Sequence, residues 1–418
     1  MPGDASILPV SGCGPIGGQA PEPALPLRRR VFEAVRGAGV APRVDLAKAL
    51  SVSPATVTVT VSDLIRQGLL VERDAASSDR VRGRPPVALQ VRPDAALVAG
   101  LKLGADEHSG VIVNFAGTQI AAVTVPRARR KTSVETLLDE AHGLLNRLVV
   151  VAKVARADLA GVGIGLPGAI QFETGQLLWS PIVDDVDVPV RELARARLGL
   201  PVEVDNDANV VTLAELWYGA GRDLSDFAVV TIEHGVGMGL VIGNRLFRGA
   251  NGIGLELGHT KVQLDGALCR CGQRGCLEAY VADYALVREA GIALELERDQ
   301  SEPVPVLLER LYEQARGGNE AARTIFRRAG RYLALGIANV MNLFDPSRVI
   351  LSGARMGYDY LYNEEVLAEL PAHVLHALGA PRRVEANAWD GHVWARGAAT
   401  LALEAETERL TADTADAA

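Results

Sequence analysis

Apolar periodicity begins near Leu27, after a stretch that has none. Leu27, Val31 and Val35 recur four residues apart and share a helical face, until Gly37 and Gly39 stop the helix. Leu46, Ala47 and Leu50 mark a second short helix over 44–50, with Ser51-Val52 as its turn. The next segment has two readings. Thr56 to Val61 alternates β-branched residues, which is a strand signal. Val57, Val61 and Leu64 also fall on one helical face, and Ser53-Pro54 supplies an N-cap followed by proline at the first helical position. The capping decides for helix. Runs at 69–72 and 87–91 then read as short strands around a loop containing Arg80, Arg82, Gly83, Arg84, Pro85 and Pro86. Helix, turn, helix and a basic hairpin predict a winged helix-turn-helix over 27–92.

The body, 93–404, reads as α/β in two successive halves. Strands are predicted at 97–103, 110–115 and 119–125, then a helix over 133–155 and a strand from 161 into the Gly/Pro loop at 167–168. A strand at 201–204 delivers Asp205-Asn206-Asp207 at its end, followed by a helix over 208–218. Polar groups just beyond strand carboxyl ends are where α/β folds place their sites. A second cycle starts at Phe227, with strands at 227–232 and 239–242, helices to about 343, a strand at 348–351 and a last helix from Val393 to Glu404. Two lobes are expected. Residues 1–26, rich in Pro and Gly, and residues 405–418 read as disordered tails, with Cys13 a free thiol in the first.

Composition keeps this picture: 418 residues, 48% hydrophobic and 22% charged, fit a globular chain of two or three domains. No run of about 18 uncharged apolar residues predicts a membrane span, and the N-terminus lacks a signal-peptide pattern, so a cytoplasmic protein is expected. Charge is uneven. Residues 27–92 carry 12 Lys/Arg against 6 Asp/Glu, on a chain whose formal net charge is −8. A basic module on an acidic body points to an anionic partner for that module. On the third helix, Thr56, Thr58, Val59 and Ser62 would face a major groove. They include no Arg, Asn or Gln for bidentate base readout, so hydroxyls, contacts to thymine methyls or the wing must carry specificity. Arg82-Gly83-Arg84-Pro85 matches a narrow, negatively focused minor groove. The competing reading is a solvated loop on an interaction domain; the basic stripe coinciding with the motif favours DNA.

The densest chemistry lies between Glu256 and Glu278. Cys269, Cys271 and Cys276 are three of the four cysteines, and His259 precedes the first by ten residues. Thiolate and imidazole are zinc's preferred ligands, and four of them close a tetrahedral structural site. Gly272 and Gly275 let the backbone turn tightly enough for Cys271 and Cys276 to meet one ion. Buried thiols, or a disulfide with one cysteine left over, are the plainer alternatives; the clustering favours zinc. A loop folded by metal would also fix where both terminal carboxylates point.

From about Leu27 to Glu404 the chain resembles ROK proteins, a group of bacterial repressors and sugar kinases. The resemblance rests on Gly235-Val-Gly through Gly258-His259, the Cys-x-Cys-Gly-x-x-Gly-Cys-x-Glu run at 269–278, and Asn206-Asp207-Ala208-Asn209. The winged head with Gly83-Arg84-Pro85 is similar to the repressor branch, since the kinase branch lacks that module. The resemblance implies a two-lobed actin-like sugar kinase fold behind the head. It also implies that Asp207 stands where kinases keep a general base, and that Asn206, Glu256, His259 and Glu278 hold sugar hydroxyls. His259 would ligate zinc as well, with Cys269, Cys271 and Cys276. Asp205 reads as a capping residue.

The departures matter as much. Family kinases begin the body with Asp-x-Gly-x-Thr, which holds phosphate and magnesium; here Lys102, Gly104 and Asp106 stand there. Glu233-His234-Gly235 replaces a Gly-Thr-Gly phosphate loop, and Ser352-Gly353-Ala354 a Gly-rich adenosine loop. Phosphoryl transfer neutralises phosphate charge, and these changes oppose that. Ile182, Gln171 and Leu255 replace an Asn, an Asp and a Gly on the sugar side. The expectation is a kinase-inactive, sugar-responsive regulator, a repressor in its simplest form. It would bind double-stranded operator DNA as a homodimer or homotetramer, with zinc organising its effector loop. Two alternatives remain: an ATP-dependent sugar kinase with a regulatory head, for which Asp207 speaks, and an effector-independent regulator, for which Ile182, Gln171 and Leu255 speak.

Overall fold

The computed structural model describes residues 12–16, 25–74, 87–127, 131–293, 304–353, 356, 367–375 and 383–412. The chain divides into two compact units, one formed by residues up to Ser225 together with Trp394 onward, the other by Asp226–Val393.

The first unit begins with the head. Helix α1 (Leu27–Ala38) buries Val31, Phe32 and Val35 and ends at Gly39, whose φ of 75° only glycine adopts freely. A two-residue strand β1 (Ala41–Pro42) leads into α2 (Arg43–Ala49) and then α3 (Pro54–Arg66). The threonine–valine alternation is helical, as its capping predicts: the Ser53 side chain accepts from the Thr56 amide, and Val57, Val61 and Leu64 are buried. Strands β2 (Leu70–Asp74) and β3 (Val87–Val91) pair antiparallel, with β1 on the other side of β3. This is a winged helix-turn-helix arrangement. The wing residues Arg80, Arg82, Gly83, Arg84, Pro85 and Pro86 lie outside the described residues.

Behind the head stands a five-stranded sheet. Its strands are β4 (Leu97–Leu103), β5 (Glu107–Asn114), β6 (Gln119–Pro126), β7 (Leu159–Leu166) and β10 (Val202–Asn206), ordered β10-β7-β4-β5-β6. The β4, β5 and β6 strands form an antiparallel meander, while β7 and β10 run parallel to β4. Helices α4 (Val134–Ala152) and α5 (Val190–Leu198), and a hairpin of β8 (Ala169–Gln171) and β9 (Gln176–Trp179), complete this side. Helix α6 (Asp207–Tyr218) follows β10 directly and is buried from Ala208 to Trp217.

The second unit repeats the topology. Strands β11 (Phe227–Ile232), β12 (Val236–Ile242), β13 (Arg245–Phe247), β14 (Arg348–Ser352) and β15 (Arg383–Asn387) are ordered β13-β12-β11-β14-β15. Again three strands are antiparallel and two join parallel to the first. Numbered within each unit, both sheets run 3-2-1-4-5. Helices α7 (Glu278–Val281), α8 (Asp283–Ala293), α9 (Val304–Arg316) and α10 (Glu320–Phe344) pack a large apolar core against this sheet, through residues such as Phe326, Leu333 and Ile337.

Two boundary expectations are corrected. The last helix, α11 (Val393–Thr411), runs beyond Glu404, because Glu406, Thr407 and Thr411 are buried rather than solvated. Arg36 of α1 donates to Thr407 at 2.7 Å, which ties this helix end to the head. Residues 12–16, expected in a disordered tail, are also docked. Cys13 is 3% exposed, and its amide donates to the Arg36 carbonyl at 3.0 Å. The remaining tail residues 1–11, 17–24 and 413–418 lie outside the described residues.

Candidate functional site

The loop that carries the His/Cys cluster is built by a short ladder. The Val262 amide donates to the Gly275 carbonyl at 2.9 Å and the Leu277 amide to the Thr260 carbonyl at 3.0 Å, pairing Lys261 with Cys276. Gly275 has φ 76°, and a Cβ there would meet the Gln263 carbonyl at 1.7 Å, so no other residue closes this turn without moving it. The ladder sets His259 beside the cysteines. The ligand atoms of His259, Cys269, Cys271 and Cys276 all lie within 4.8 Å of one another.

The edges of this group can be compared with zinc geometry. Cys271 Sγ and Cys276 Sγ are 3.7 Å apart, and Cys269 Sγ and His259 Nδ1 are 3.7 Å apart. A tetrahedron with Zn–S of about 2.3 Å and Zn–N of about 2.0 Å has S–S and S–N edges of about 3.8 and 3.5 Å. The four cysteines of the chain are free thiols, which sets aside the disulfide alternative. The residues present therefore fit a tetrahedral cation. Burial pushes the Cys269 thiol up. Three outer contacts escaped sequence reasoning. Lys261 Nζ donates to Cys276 Sγ at 3.0 Å, Tyr284 donates to Cys269 Sγ at 3.6 Å, and the Arg270 guanidinium lies 4.0 Å from the Tyr284 ring centroid. Nothing in their spacing signals these roles; only the folded loop brings them in. The loop is braced by α10, where the Tyr332 ring stacks on Tyr280 at 4.0 Å and Tyr332 donates to Gln263 at 2.5 Å.

The expected sugar-contacting residues divide between the units. Glu278, at the start of α7, is buried and lies 3.6 Å from Cys269 Sγ. Its other oxygen would stand 2.8 Å from a Cβ at position 235, so Gly235 is what admits it. Glu256 is exposed and immediately precedes the single turn Leu257–His259. The second unit thus brings Glu278, His259 and the metal cluster together. Asn206 and Asp207 belong to the first unit, at the carboxyl end of β10 and the first turn of α6. Asn206 caps α6 through the Ala208 amide at 2.8 Å and donates to the Gly168 carbonyl at 2.7 Å. Its amide is thus engaged at both ends, which favours a positioning duty for Asn206. Asp205 is fully buried and accepts from Asn209 and from the Asn206 amide, both at 2.8 Å, in keeping with a capping role.

At the turn aligned with the kinase phosphate loop, the side chains engage one another. Lys102 Nζ lies 3.8 Å from the centroid of the Trp394 ring. The Gly104 amide donates to His108 Nδ1 at 3.2 Å; His108 Nε2 meets Glu140 at 2.9 Å, and Arg127 reaches the same carboxylate at 3.0 Å. Burial holds His108 below its ordinary value. Ile182 is 2% exposed within the apolar core of the first unit, so its side chain is a packing element rather than a polar contact. Leu255 holds φ 70°, a conformation glycine adopts freely and a branched side chain resists. Packing against the core of the second unit is what keeps it there.

On the head, the exposed side of α3 carries Thr56, Thr58, Val59 and Ser62 as expected, with Val59 72% exposed. Thr58 and Ser62 each donate to the carbonyl four residues back at 2.8 Å. Their protons are spent inside the helix. The hydroxyl oxygens remain as acceptors, beside an apolar valine.

The comparisons agree with this architecture. The model of the ROK family matches residues 98–405. A xylose repressor of Caldicellulosiruptor bescii is 30% identical over 332 residues, covering 78% of this chain and 82% of the relative. Among solved structures, a ROK family transcriptional regulator described as a homologue of the Escherichia coli Mlc protein superposes with a TM-score of 0.77 at 24% identity. That match covers 92% of this chain and 97% of the other. A ROK family glucokinase from Streptomyces griseus, solved with glucose and AMPPNP, gives 0.61 at 29% identity, covering 74% of this chain and all of its own. With the family model matching residues 98–405, more than half of its length, the chain belongs to the ROK family.

Proposed function

We propose that this chain is a sugar-responsive repressor that binds operator DNA through α3 and the wing, and that it no longer transfers phosphate. The observation that carries the reading is the head. It presents an exposed Thr/Ser/Val face on α3, it belongs to the same compact unit as Asn206 and Asp207, and the surrounding segment is basic. Thr56, Thr58, Val59 and Ser62 enter the major groove; Arg82, Gly83, Arg84 and Pro85 follow the adjacent minor groove. A homodimer or homotetramer supplies two heads for two half-sites, in the cytoplasm where thiols stay reduced.

Zinc, when bound by His259, Cys269, Cys271 and Cys276, supplies a structural cross-link. The loop then orients Glu256, His259 and Glu278 of the second unit as partners for sugar hydroxyls, and in the first unit Asp207 is the sugar contact. Sugar changes operator affinity only as far as it binds the two conformations differently. Lys102 on Trp394 and the His108-occupied Gly104 amide support loss of phosphoryl transfer. The test is fluorescence anisotropy with DNA from upstream of the protein's own gene, over 50–200 mM salt and with a panel headed by D-xylose and D-glucose. Binding with a steep salt slope, altered by one sugar, supports the proposal. ADP release in a coupled assay with these sugars would favour the kinase reading, for which Asp207 speaks.

A further inference from the structure

Residues 12–16 precede the head and have no place in the function proposed above. They nevertheless lie in the junction between the head and the body. The Cys13 amide donates to the Arg36 carbonyl at the end of α1 at 3.0 Å, and the Gly14 amide donates to the Trp217 carbonyl near the end of α6 at 2.9 Å. The Ile16 amide donates to the Arg222 carbonyl at 2.8 Å. Arg222 returns the contact, donating to the Gly14 carbonyl at 3.1 Å and to the Gly37 carbonyl of α1 at 2.7 Å. One guanidinium thus ties the segment, the head and the body together.

Shape agrees with the hydrogen bonds. A Cβ on Gly12 would meet the Arg36 carbonyl at 2.0 Å, one on Gly37 the Pro15 carbonyl at 2.7 Å, and one on Gly117, in the β5–β6 turn, Cys13 Sγ at 2.2 Å. The segment, α1 and the turn are each glycine where the other presses on it. Beside them Arg36, 3% exposed, lies 4.2 Å over the Trp217 ring, and Phe32 of α1 meets Phe115 at 4.9 Å between ring centroids. Helix α6 starts at Asp207 and ends against this junction.

We infer that residues 12–16 are an intramolecular strap that locks the head onto the far end of α6, so that the head and the Asp207 helix move as one body. Five residues with no periodicity are held by three backbone–backbone hydrogen bonds, by a fourth bond from the Arg222 side chain, and by a buried side chain. That is the design of a clasp rather than of a linker. With the strap in place, a displacement of α6 at its Asp207 end is carried to α1 without slack.

Hydrogen exchange read by mass spectrometry tests this on the full chain, on a variant lacking residues 1–16, and on Arg222→Ala, which removes the guanidinium and leaves Cys13. Local opening appears as faster exchange in the affected segment alone. Exchange over 27–39 and 215–222 should rise at least tenfold in both variants, while α3 and strands β4 and β7 keep their protection. A calorimetric scan of the truncated chain should show the head melting separately. Unchanged exchange in both variants would overturn the inference. Loss of protection throughout the first unit would overturn it too, because the segment would then be part of the core.

Discussion

The ammonium of Lys102 lies 3.8 Å from the centroid of the Trp394 ring, at the turn where a family kinase would hold magnesium and phosphate. A cation committed to an indole face contributes about 1 kcal/mol, more when desolvated. Lys102→Met should therefore lower the unfolding free energy by about that amount. Saturating ATP–Mg should leave the melting temperature of the native protein where it was, whereas a ligand at about 100 times its dissociation constant adds ~2.7 kcal/mol. A thermal-shift titration reads both, and an ATP–Mg shift would contradict the account of this turn.

The same turn gives a pH dependence. Burial holds His108 below its ordinary 6.5, with Nδ1 accepting from Gly104 and Nε2 facing Glu140. The unfolded chain takes up a proton near 6.5 that the folded chain refuses until lower pH. The stability this histidine contributes is thus complete above 6.5 and is lost as pH falls through the folded value. Urea midpoints should decline from pH 7 to pH 5.5, with a shallower decline in His108→Gln. Parallel slopes in the two proteins would show the histidine to be uninvolved.

Metal content is predicted residue by residue. Purified protein should carry one zinc per chain. Cys276→Ser, at a fully buried ligand, should lose it and expose residues 256–278 to exchange. Lys261→Gln keeps all four ligands but removes the donor 3.0 Å from Cys276 Sγ, so zinc affinity should fall by about tenfold. Chelator competition measures this. An unchanged affinity would make Lys261 a bystander.

On the head, Ser53→Ala removes the N-cap of α3 and should cost about 1 kcal/mol of stability. Val59→Asp leaves the buried face untouched and should weaken DNA binding at least tenfold with an unchanged melting temperature. Anisotropy beside a thermal melt separates the two effects.

Much of this was legible in the sequence because it is local. Ser53-Pro54 and the burial of Val57, Val61 and Leu64 decide the nature of α3, and the spacing of three cysteines after a histidine marks the loop in which these four residues cluster. Asn206 and Asp207 follow from their place at the end of a strand. What stayed hidden is long-range. Residues 12–16 have no periodicity, and their order comes from partners at 36, 217 and 222. The extension of α11 is masked by Glu404, Glu406, Glu408 and Arg409, a charged run that conceals the buried Thr407. Lys261 and Tyr284 reach the cysteines only after the loop has closed.

The most direct test is the operator affinity of the zinc-loaded chain with and without each sugar, measured for the native protein and for Asp207→Ala. One sugar should change the native dissociation constant about tenfold, a coupling of roughly 1.4 kcal/mol within the usual allosteric range. Asp207→Ala should bind DNA as tightly as the native chain and ignore that sugar. An operator affinity that no sugar alters, or a response that survives Asp207→Ala, would contradict the account.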